Sequence, residues 1–233
     1  MTHEFALMLD GGRHFAQTVL LAVGALLPIV DPLGSAVIYR ELTAGVAPQS
    51  RAPLAKLVAL DSFLLLLASA LLGAYVLDFF SLSVPAVQVA GGILVCALAW
   101  RLLTGPDRPE LFSRASAAEA AAAEWGPRAF YPLAMPVTIG PGAISVAIAL
   151  GANPESSVRS LAITALAHAL GILIVAVAVY VCYRYADAIM RKLGATSVAV
   201  LMRLSAFILL CIGVQLTWNG IHGLLSGAGP LAV

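Results

Sequence analysis

Charged residues are scarce in this sequence. They make up only 11% of the 233 residues, whereas hydrophobic residues make up 61%. Because a soluble globular domain has about 25% charged and about 45–50% apolar residues, this composition excludes that class and is typical of an integral membrane protein. The formal net charge is +1 and no long basic run occurs. The sequence therefore gives no support for nucleic-acid binding.

Several motifs that carry catalytic chemistry are also missing. There is no G-x-x-x-x-G-K-[ST] phosphate loop, which excludes ATP as the direct energy source, and no H-E-x-x-H or G-x-S-x-G pattern. Of four histidines, only His168 lies well inside an apolar run. The three cysteines are odd in number and show no C-x-x-C spacing, which favours packing over metal or redox roles. We therefore expect neither enzyme activity nor a cofactor or metal.

Long apolar runs are what the sequence has in abundance. A helix of about 20 residues crosses a hydrocarbon core of about 30 Å, and six runs reach that length. Their continuous apolar character excludes the alternating pattern of a membrane barrel. We predict an all-α membrane protein of six transmembrane helices that forms a single domain over residues 1–233. The predicted spans lie near 17–39, 54–77, 84–104, 130–151, 160–183 and 199–222.

The positive charges predict the orientation of these spans. Of the 13 Lys and Arg residues, only Arg13 and Arg159 fall outside the connections that follow spans one, three and five. Cytoplasmic loops collect Lys and Arg, so both termini are expected outside the cytoplasm and segment 106–128 inside it, as a connecting segment. Aromatic residues near span ends, Tyr183 among them, are interpreted as interface anchors.

The chain also repeats itself weakly. GILVCALAWRLLTG (92–105) and FILLCIGVQLTWNG (207–220) share Ile-Leu, the following Cys and the closing Gly without a gap. Each half holds three spans, an odd number, so the second half must lie upside down relative to the first. We predict an inverted 3+3 repeat, with repeat 1 over about 15–105 and repeat 2 over about 129–222.

Spans one and four carry helix breakers at matching places. Span one contains Pro28 and the run Asp31–Gly34, and span four contains Pro136 and the run Gly140–Ala143. Proline removes a backbone hydrogen bond, which is costly in lipid, and a central aspartate adds about 2.5–3.5 kcal/mol. These groups are therefore expected to face the bundle interior or a water-filled cavity. The alternative is a pair of proline kinks that only shape the bundle.

Asp-Pro and Gly-Pro are also ways to begin a helix. Aspartate is a good N-cap and proline suits the first helical position, so half-helices are expected to begin at Pro32 and Pro141. Spans one and four are then discontinuous, and their positive ends point to a common region. We predict that a small zwitterion binds there, with its ammonium near Asp31 and its carboxylate on the amides of Gly142 and Ala143. The predicted substrate-binding residues are Asp31, Pro32, Gly34, Ser35, Thr138, Gly140, Pro141, Gly142, Ala143 and Ser145.

Two further ionisable residues lie inside predicted spans. Asp61 in span two and His168 in span five are candidates for coupling a proton or cation to transport. The structural alternatives are a capping or interhelical hydrogen bond for Asp61, with Ser62 as a neighbour, and a packed, hydrogen-bonded histidine.

Four segments resemble the MarC family of six-span inner-membrane proteins. They are VDPLGSAVI (30–38), VAGGILVCALAWRLL (89–103), FYPLAMPVTIGPGAISVAI (130–148) and LCIGVQLTWNGI (210–221). The resemblance runs from about residue 17 to residue 222. It implies six transmembrane helices, an inverted repeat with spans one and four discontinuous, and transport of small neutral amino acids such as glycine and alanine. The motif positions that carry it are Asp31, Pro32, Gly34, Gly140, Pro141 and Gly142.

Together these features predict a gradient-driven secondary transporter of small neutral amino acids that works by alternating access in a bacterial inner membrane. The expected partners are membrane lipid, a small zwitterionic substrate and a coupling proton or cation. The alternative is a non-transporting inner-membrane factor that binds or regulates a partner through its cytoplasmic loops.

Overall fold

The computed structural model describes residues 2–43, 48–104, 129–152 and 158–226, and every regular element in those ranges is helical. The helices are α1 (Thr2–Val30), α2 (Pro32–Leu42), α3 (Pro48–Phe79), α4 (Val84–Thr104), α5 (Pro141–Gly151), α6 (Val158–Arg184) and α7 (Ala186–Leu225). Between α4 and α5 lies the kinked segment Ala129–Thr138, whose helical course is interrupted by extended backbone at Tyr131 and Met135. The predicted connecting segment 106–128 lies outside the described residues.

The lengths and composition of these helices confirm a multi-span membrane protein. Within the described ranges, five helical stretches are long and apolar enough to cross a membrane, and a sixth crossing results if the kinked segment and α5 count as one span bent by 77°. The five are Gly12–Arg40, Ser50–Phe79, Val84–Thr104, Leu161–Arg184 and Met202–Leu225. Five of the six predicted spans therefore correspond to single helical stretches, and the predicted span 130–151 corresponds to the bent pair.

Helix α7 is longer than one span because it contains a bend. Gly194 has φ +71° and ψ 164°, a conformation that residues with a Cβ rarely adopt. The bend separates a first part, which begins at Ala186, from the membrane-crossing stretch Met202–Leu225. The first part of α7 therefore begins directly beside the end of α6, with only Tyr185 between them.

Small residues allow the helices to approach closely. Helix α4 packs along α7, where a side chain at Gly92 would collide with Thr217 and with the backbone of Gly213. Helix α3 packs against α5, where a side chain at Gly151 would overlap the Ala70 carbonyl group. Such small-residue contacts are the usual way in which membrane helices gain van der Waals packing, since lipid supplies no hydrophobic driving force between them.

The outside and the interior of the bundle are both largely apolar, as expected for a protein surrounded by lipid. Large apolar side chains such as Leu72, Trp100, Leu166 and Trp218 are exposed on the outside, where lipid would cover them. The interior is built mainly from buried Ala, Val, Leu and Ile side chains of α1, α3, α5 and α6. The few buried polar residues among those described are Ser35, Thr43, Ser62, Thr138, Ser145, Thr164 and His168. These are the positions at which an interior polar site can be built.

Candidate functional site

The first interruption lies between α1 and α2 at Asp31. This residue has φ +42°, and its Oδ1 accepts a hydrogen bond of 3.1 Å from the amide of Gly34. Two backbone bonds span the interruption, since the Asp31 amide donates to the Leu27 carbonyl and the Asp31 carbonyl accepts from the Ser35 amide at 2.9 Å. A new helix begins at Pro32 with Asp31 as its cap, as the Asp-Pro pair predicts. The stretch still continues as one span from Gly12 to Arg40.

Gly34 is needed for this cap on steric grounds. A Cβ atom at position 34 would overlap the Asp31 carboxylate. The side chain of Asp31 can therefore fold back over the first turn of α2 only because that turn begins Pro-Leu-Gly. Ser35 adds a further bond, since its hydroxyl donates to the Asp31 carbonyl at 2.8 Å.

The second interruption lies between the kinked segment and α5, and its geometry is different. Gly140 is extended (φ −85°, ψ 171°), provides no side-chain cap, and is followed by Pro141 at the start of α5. The two helical pieces meet at 77°. The amides of Ala143 and Ile144 both donate to the Gly140 carbonyl, at 3.0 and 3.2 Å. The Ala143 amide, which the sequence assigns to a substrate carboxylate, is thus engaged in the first turn of the helix in this conformation.

Gly142 and Ser145 face α4. A Cβ atom at Gly142 would overlap the buried Val95 side chain, and one at Gly91 would overlap Ser145 Oγ. Ser145 is buried and donates its hydroxyl to the Pro141 carbonyl at 2.9 Å. These two predicted site residues therefore form the packing surface between α5 and α4.

Thr138 and Ser35 both lie near Tyr183, a residue that the sequence predicts to be an interface anchor. Tyr183 of α6 is only 3% exposed, and its hydroxyl lies 2.7 Å from Thr138 Oγ1. The Thr138 hydroxyl donates to the Leu133 carbonyl at 2.7 Å, so Tyr183 must be the donor to Thr138. The Ser35 side chain lies near the same phenol hydroxyl. The interpretation of Tyr183 as an interface anchor is therefore corrected, because this ring is buried.

We call Asp31, Ser35, Thr138 and Tyr183 the polar cluster. The Asp31 carboxylate lies close enough to Tyr183 to act on it electrostatically. The cluster joins the first interruption to the kinked segment that precedes the second. No motif in the sequence signals Tyr183, since its partner Thr138 is 45 positions away.

Asp61 lies on α3 and His168 lies on α6. Asp61 is partly exposed, whereas His168 is buried and takes part in a polar or ring interaction. The neighbour of Asp61, Ser62, is fully buried, and within the described ranges its Oγ is the one buried side-chain N or O atom without a hydrogen-bond partner. No group of three His, Cys, Asp or Glu side chains in those ranges converges on a common point that could hold a metal ion.

A cavity of about 330 Å³ opens beyond the Tyr183 end of the cluster, and we call it the arginine cavity. Tyr39 and Tyr183 line it and stack on each other, with ring centroids 4.4 Å apart. The Tyr39 hydroxyl donates to the Arg51 carbonyl at 2.7 Å. The charged residues in the lining are Arg40, Arg51, Arg184, Asp187 and Arg191. Tyr183 thus both lines this cavity and bonds Thr138 of the polar cluster.

Comparison with known proteins places this bundle in a family. The model of the MarC family of integral membrane proteins matches residues 16–225. The chain belongs to the MarC family. It is 30% identical over 209 residues to the UPF0056 inner membrane protein MarC of Escherichia coli O1:K1 / APEC, covering 88% of this chain and 94% of that protein.

An archaeal relative is equally similar. A UPF0056 membrane protein of Methanocaldococcus jannaschii is 30% identical over 210 residues, covering 90% of this chain and 98% of that protein. No solved structure gives a significant match. Family membership, the names of the bacterial relatives and the apolar helices together identify a multi-pass inner-membrane protein.

Proposed function

We propose that this MarC family member is a secondary transporter of small neutral amino acids of glycine or alanine size. The observation that carries the proposal is the polar cluster, in which Asp31, Ser35, Thr138 and Tyr183 meet inside an otherwise apolar bundle. Polar and ionisable groups are expensive inside a membrane and usually mark a substrate or ion path. The cluster also lies where two interrupted helices meet, which is the usual place for a transporter's binding site.

The pairing of the helices supports an inverted repeat with spans one and four as its discontinuous members. Span two (α3) packs on span four (the kinked segment and α5), and span five (α6) packs on span one (α1 and α2). Spans three and six pack on each other, as do spans two and five. Exchanging the two halves leaves this set of contacts unchanged, as a pseudo-two-fold axis requires.

In the proposed complex the substrate ammonium lies near Asp31 and the carboxylate near the start of α5. Asp31 supplies a carboxylate, while the Ser35 and Tyr183 hydroxyls supply further hydrogen-bonding groups. The α5 terminus has no side-chain cap at Gly140, so its positive end is open to an anionic group. Because the Ala143 amide donates to Gly140, we assign the carboxylate to the Gly142 amide and to the helix terminus as a whole.

Alternating access in this proposal depends on Tyr183. Its hydroxyl bond to Thr138 and its stacking on Tyr39 lie between the polar cluster and the arginine cavity. Movement of the ring away from Thr138 would connect the two. We assign the arginine cavity to the cytoplasmic side, with both termini outside the cytoplasm, because Lys and Arg collect in cytoplasmic connections.

We further propose that a proton or cation gradient drives transport, with Asp61 and His168 as the coupling groups. Both side chains lie within membrane-crossing helices, where an ionisable group is a functional candidate. The unpartnered hydroxyl of Ser62, next to Asp61 in the chain, provides a polar atom free to bind an ion or water on that helix.

The experiment is counterflow in liposomes that contain the purified protein. Labelled glycine and alanine are offered outside vesicles preloaded with unlabelled amino acids, first at neutral pH and then after a pH jump. The proposal predicts exchange of at least one small neutral amino acid. Absence of exchange across a broad amino-acid panel, with protein shown to be inserted, would contradict it and would favour a membrane factor that binds a partner.

Asp31→Asn tests the ammonium assignment separately. Asparagine retains an oxygen that can accept from Gly34 and tolerates positive φ, so the cap survives while the charge is lost. Transport by this variant is expected to fall, with a raised KM. Unchanged kinetics would refute the role of the Asp31 charge without refuting transport.

A further inference from the structure

The arginine cavity lies at one surface of the membrane. Two spans end there, Gly12–Arg40 and Leu161–Arg184, and a third, Ser50–Phe79, begins there. The lining comes from the ends of α2 and α6 and from the beginnings of α3 and α7. The cavity therefore lies at the level of the lipid headgroups, where phosphate groups and water are both present.

The lining carries an excess of positive charge. Four arginines, Arg40, Arg51, Arg184 and Arg191, face the cavity together with one acid, Asp187. Asp187 accepts from Arg40 Nε at 2.8 Å and from Arg51 Nη1 at 2.9 Å. The hydrogen bond from Arg40, aided by the charges of both arginines, lowers the pKa of Asp187 below its usual value, so this acid is ionised at neutral pH. Four guanidinium groups against one carboxylate leave a net charge of +3.

Asp187 forms ion pairs with two of the four arginines, Arg40 and Arg51. Arg184 lies over the ring of Tyr185, with its Cζ 5.6 Å from the ring centroid. Neither Arg184 nor Arg191 forms an ion pair with a carboxylate in the part of the chain that the structure describes. Guanidinium groups match phosphate oxygens with two parallel hydrogen bonds, and they are weakly hydrated, so they suit partly enclosed phosphate sites.

We propose that the arginine cavity is a binding site for a phosphate group, held by Arg184 and Arg191, the two lining arginines that are not paired with Asp187. The cavity volume of about 330 Å³ accommodates a phosphate with part of its attached headgroup. Basic pockets between membrane helices on the cytoplasmic side recognise phospholipid headgroups, and a free phosphate in the cytoplasm offers the same chemistry. The site is independent of the proposed transport function, because it rests on the cavity and its charges alone.

The test measures thermal unfolding of the detergent-purified protein while three probes are titrated at constant ionic strength. The probes are inorganic phosphate, short-chain phosphatidylglycerol and short-chain phosphatidylcholine, with sodium chloride as the salt reference. The site predicts saturable stabilisation by phosphatidylglycerol, by inorganic phosphate or by both. Phosphatidylglycerol alone would identify a lipid headgroup site, and inorganic phosphate that competes with it would identify a site open to free anions. Equal effects of sodium chloride or of phosphatidylcholine would overturn the proposal.

The matched variants are Arg184→Gln/Arg191→Gln and, as a control, Arg101→Gln. Arg101 is exposed in the last turn of α4 and does not line the cavity. Because a charged hydrogen bond contributes about tenfold or more in affinity, the double variant should raise the apparent Kd for the phosphate probe at least about tenfold. The control should leave the Kd unchanged. Without ligand, both variants should unfold near the wild-type temperature, which shows that they fold. A double variant that binds the probe with wild-type affinity would refute the site.

Discussion

At Asp31 the first span continues as a single stretch from Gly12 to Arg40, whereas at Gly140 the helical pieces meet at 77°. Both interruptions contain a proline followed by a glycine, directly in Pro141-Gly142 and after one residue in Pro32-Leu33-Gly34. The difference lies in the residue before the proline. Asp31 caps the Gly34 amide with its side chain and forms backbone bonds to Leu27 and Ser35, while Gly140 has no side chain and adopts an extended conformation. In this protein the interruption with a side-chain cap lies within one continuous stretch, and the interruption without a cap is bent by 77°.

The two interruptions also depend on different neighbours. The first is stabilised within its own turn, by Gly34 and Ser35. The second interruption is fixed by two other helices, because Gly142 packs against Val95 of α4 and Thr138 forms a hydrogen bond with Tyr183 of α6. Local bonds should therefore control the first interruption, and tertiary contacts should control the second.

The largest effect is expected at the second interruption. Gly142→Ala would place a methyl group into the buried, β-branched Val95, and overpacking of this kind costs about 1–3 kcal/mol. Gly140→Ala is the matched control, since its Cβ would meet only the Pro136 carbonyl at 3.9 Å and its φ of −85° suits alanine. The measurement is the thermal unfolding midpoint in detergent. Equal midpoints for the two variants would show that α4 does not fix this interruption.

Loss of the cap at the first interruption should have the next largest effect. Asp31→Ala removes the acceptor of the Gly34 amide and leaves alanine at positive φ, which together should lower the free energy of unfolding by about 1–2 kcal/mol. Asp31→Asn should lie close to wild type in stability, because asparagine supplies an acceptor and tolerates this φ. The same unfolding assay checks the pair. An Asp31→Asn variant as unstable as Asp31→Ala would mean that the charge, and not the cap, stabilises the turn.

The hydrogen bond between the second interruption and α6 should contribute less. Tyr183→Phe removes the hydrogen-bond donor to Thr138, whose own hydroxyl keeps its bond to the Leu133 carbonyl. The free energy of unfolding is therefore expected to fall by about 1 kcal/mol. Tyr180→Phe, one turn earlier in α6, is the control, because Tyr180 forms no hydrogen bond from its side chain within the described residues. Transport is measured on both variants. Tyr183→Phe should alter it and Tyr180→Phe should not, and the reverse result would remove Tyr183 from the mechanism.

The smallest effect is expected at the ion pairs that line the arginine cavity. Asp187 is 39% exposed and Arg40 48% exposed, and ion pairs so accessible to water contribute about 0–1 kcal/mol. Because the pKa of Asp187 is lowered in the folded protein, the ionised carboxylate stabilises the fold at pH values above the usual carboxyl pKa. This stabilisation is lost as the pH falls through the lowered pKa of the folded protein. The difference between wild type and Asp187→Asn should therefore be constant from about pH 5 to 8 and shrink below about pH 4. A difference that grows on acidification would contradict the sign of this shift.

The residues show which parts of the molecule local sequence can predict. The spans and both interruptions follow from composition and from prolines that act on their own turns, and the Asp31 cap involves a residue only three positions away. The 77° bend could not be predicted, because Gly-Pro permits many angles and packing on α4 selects one. The sequence predicts Tyr183 at the membrane interface, since tyrosine near a span end usually lies there, whereas its bond to Thr138 depends on tertiary structure. The arginine cavity depends on Arg40 and Asp187, which are 147 positions apart.

Binding of the amino acid that gives the strongest counterflow tests the central claim most directly. We would compare its equilibrium affinity for wild type, Thr138→Val and Thr217→Val. Thr138 belongs to the polar cluster, whereas Thr217 bonds the Gly213 carbonyl of its own helix at the α4–α7 contact. The account predicts that Thr138→Val weakens binding about tenfold or more while Thr217→Val leaves it unchanged. Wild-type affinity in a folded Thr138→Val protein would contradict the assignment of the substrate to this cluster.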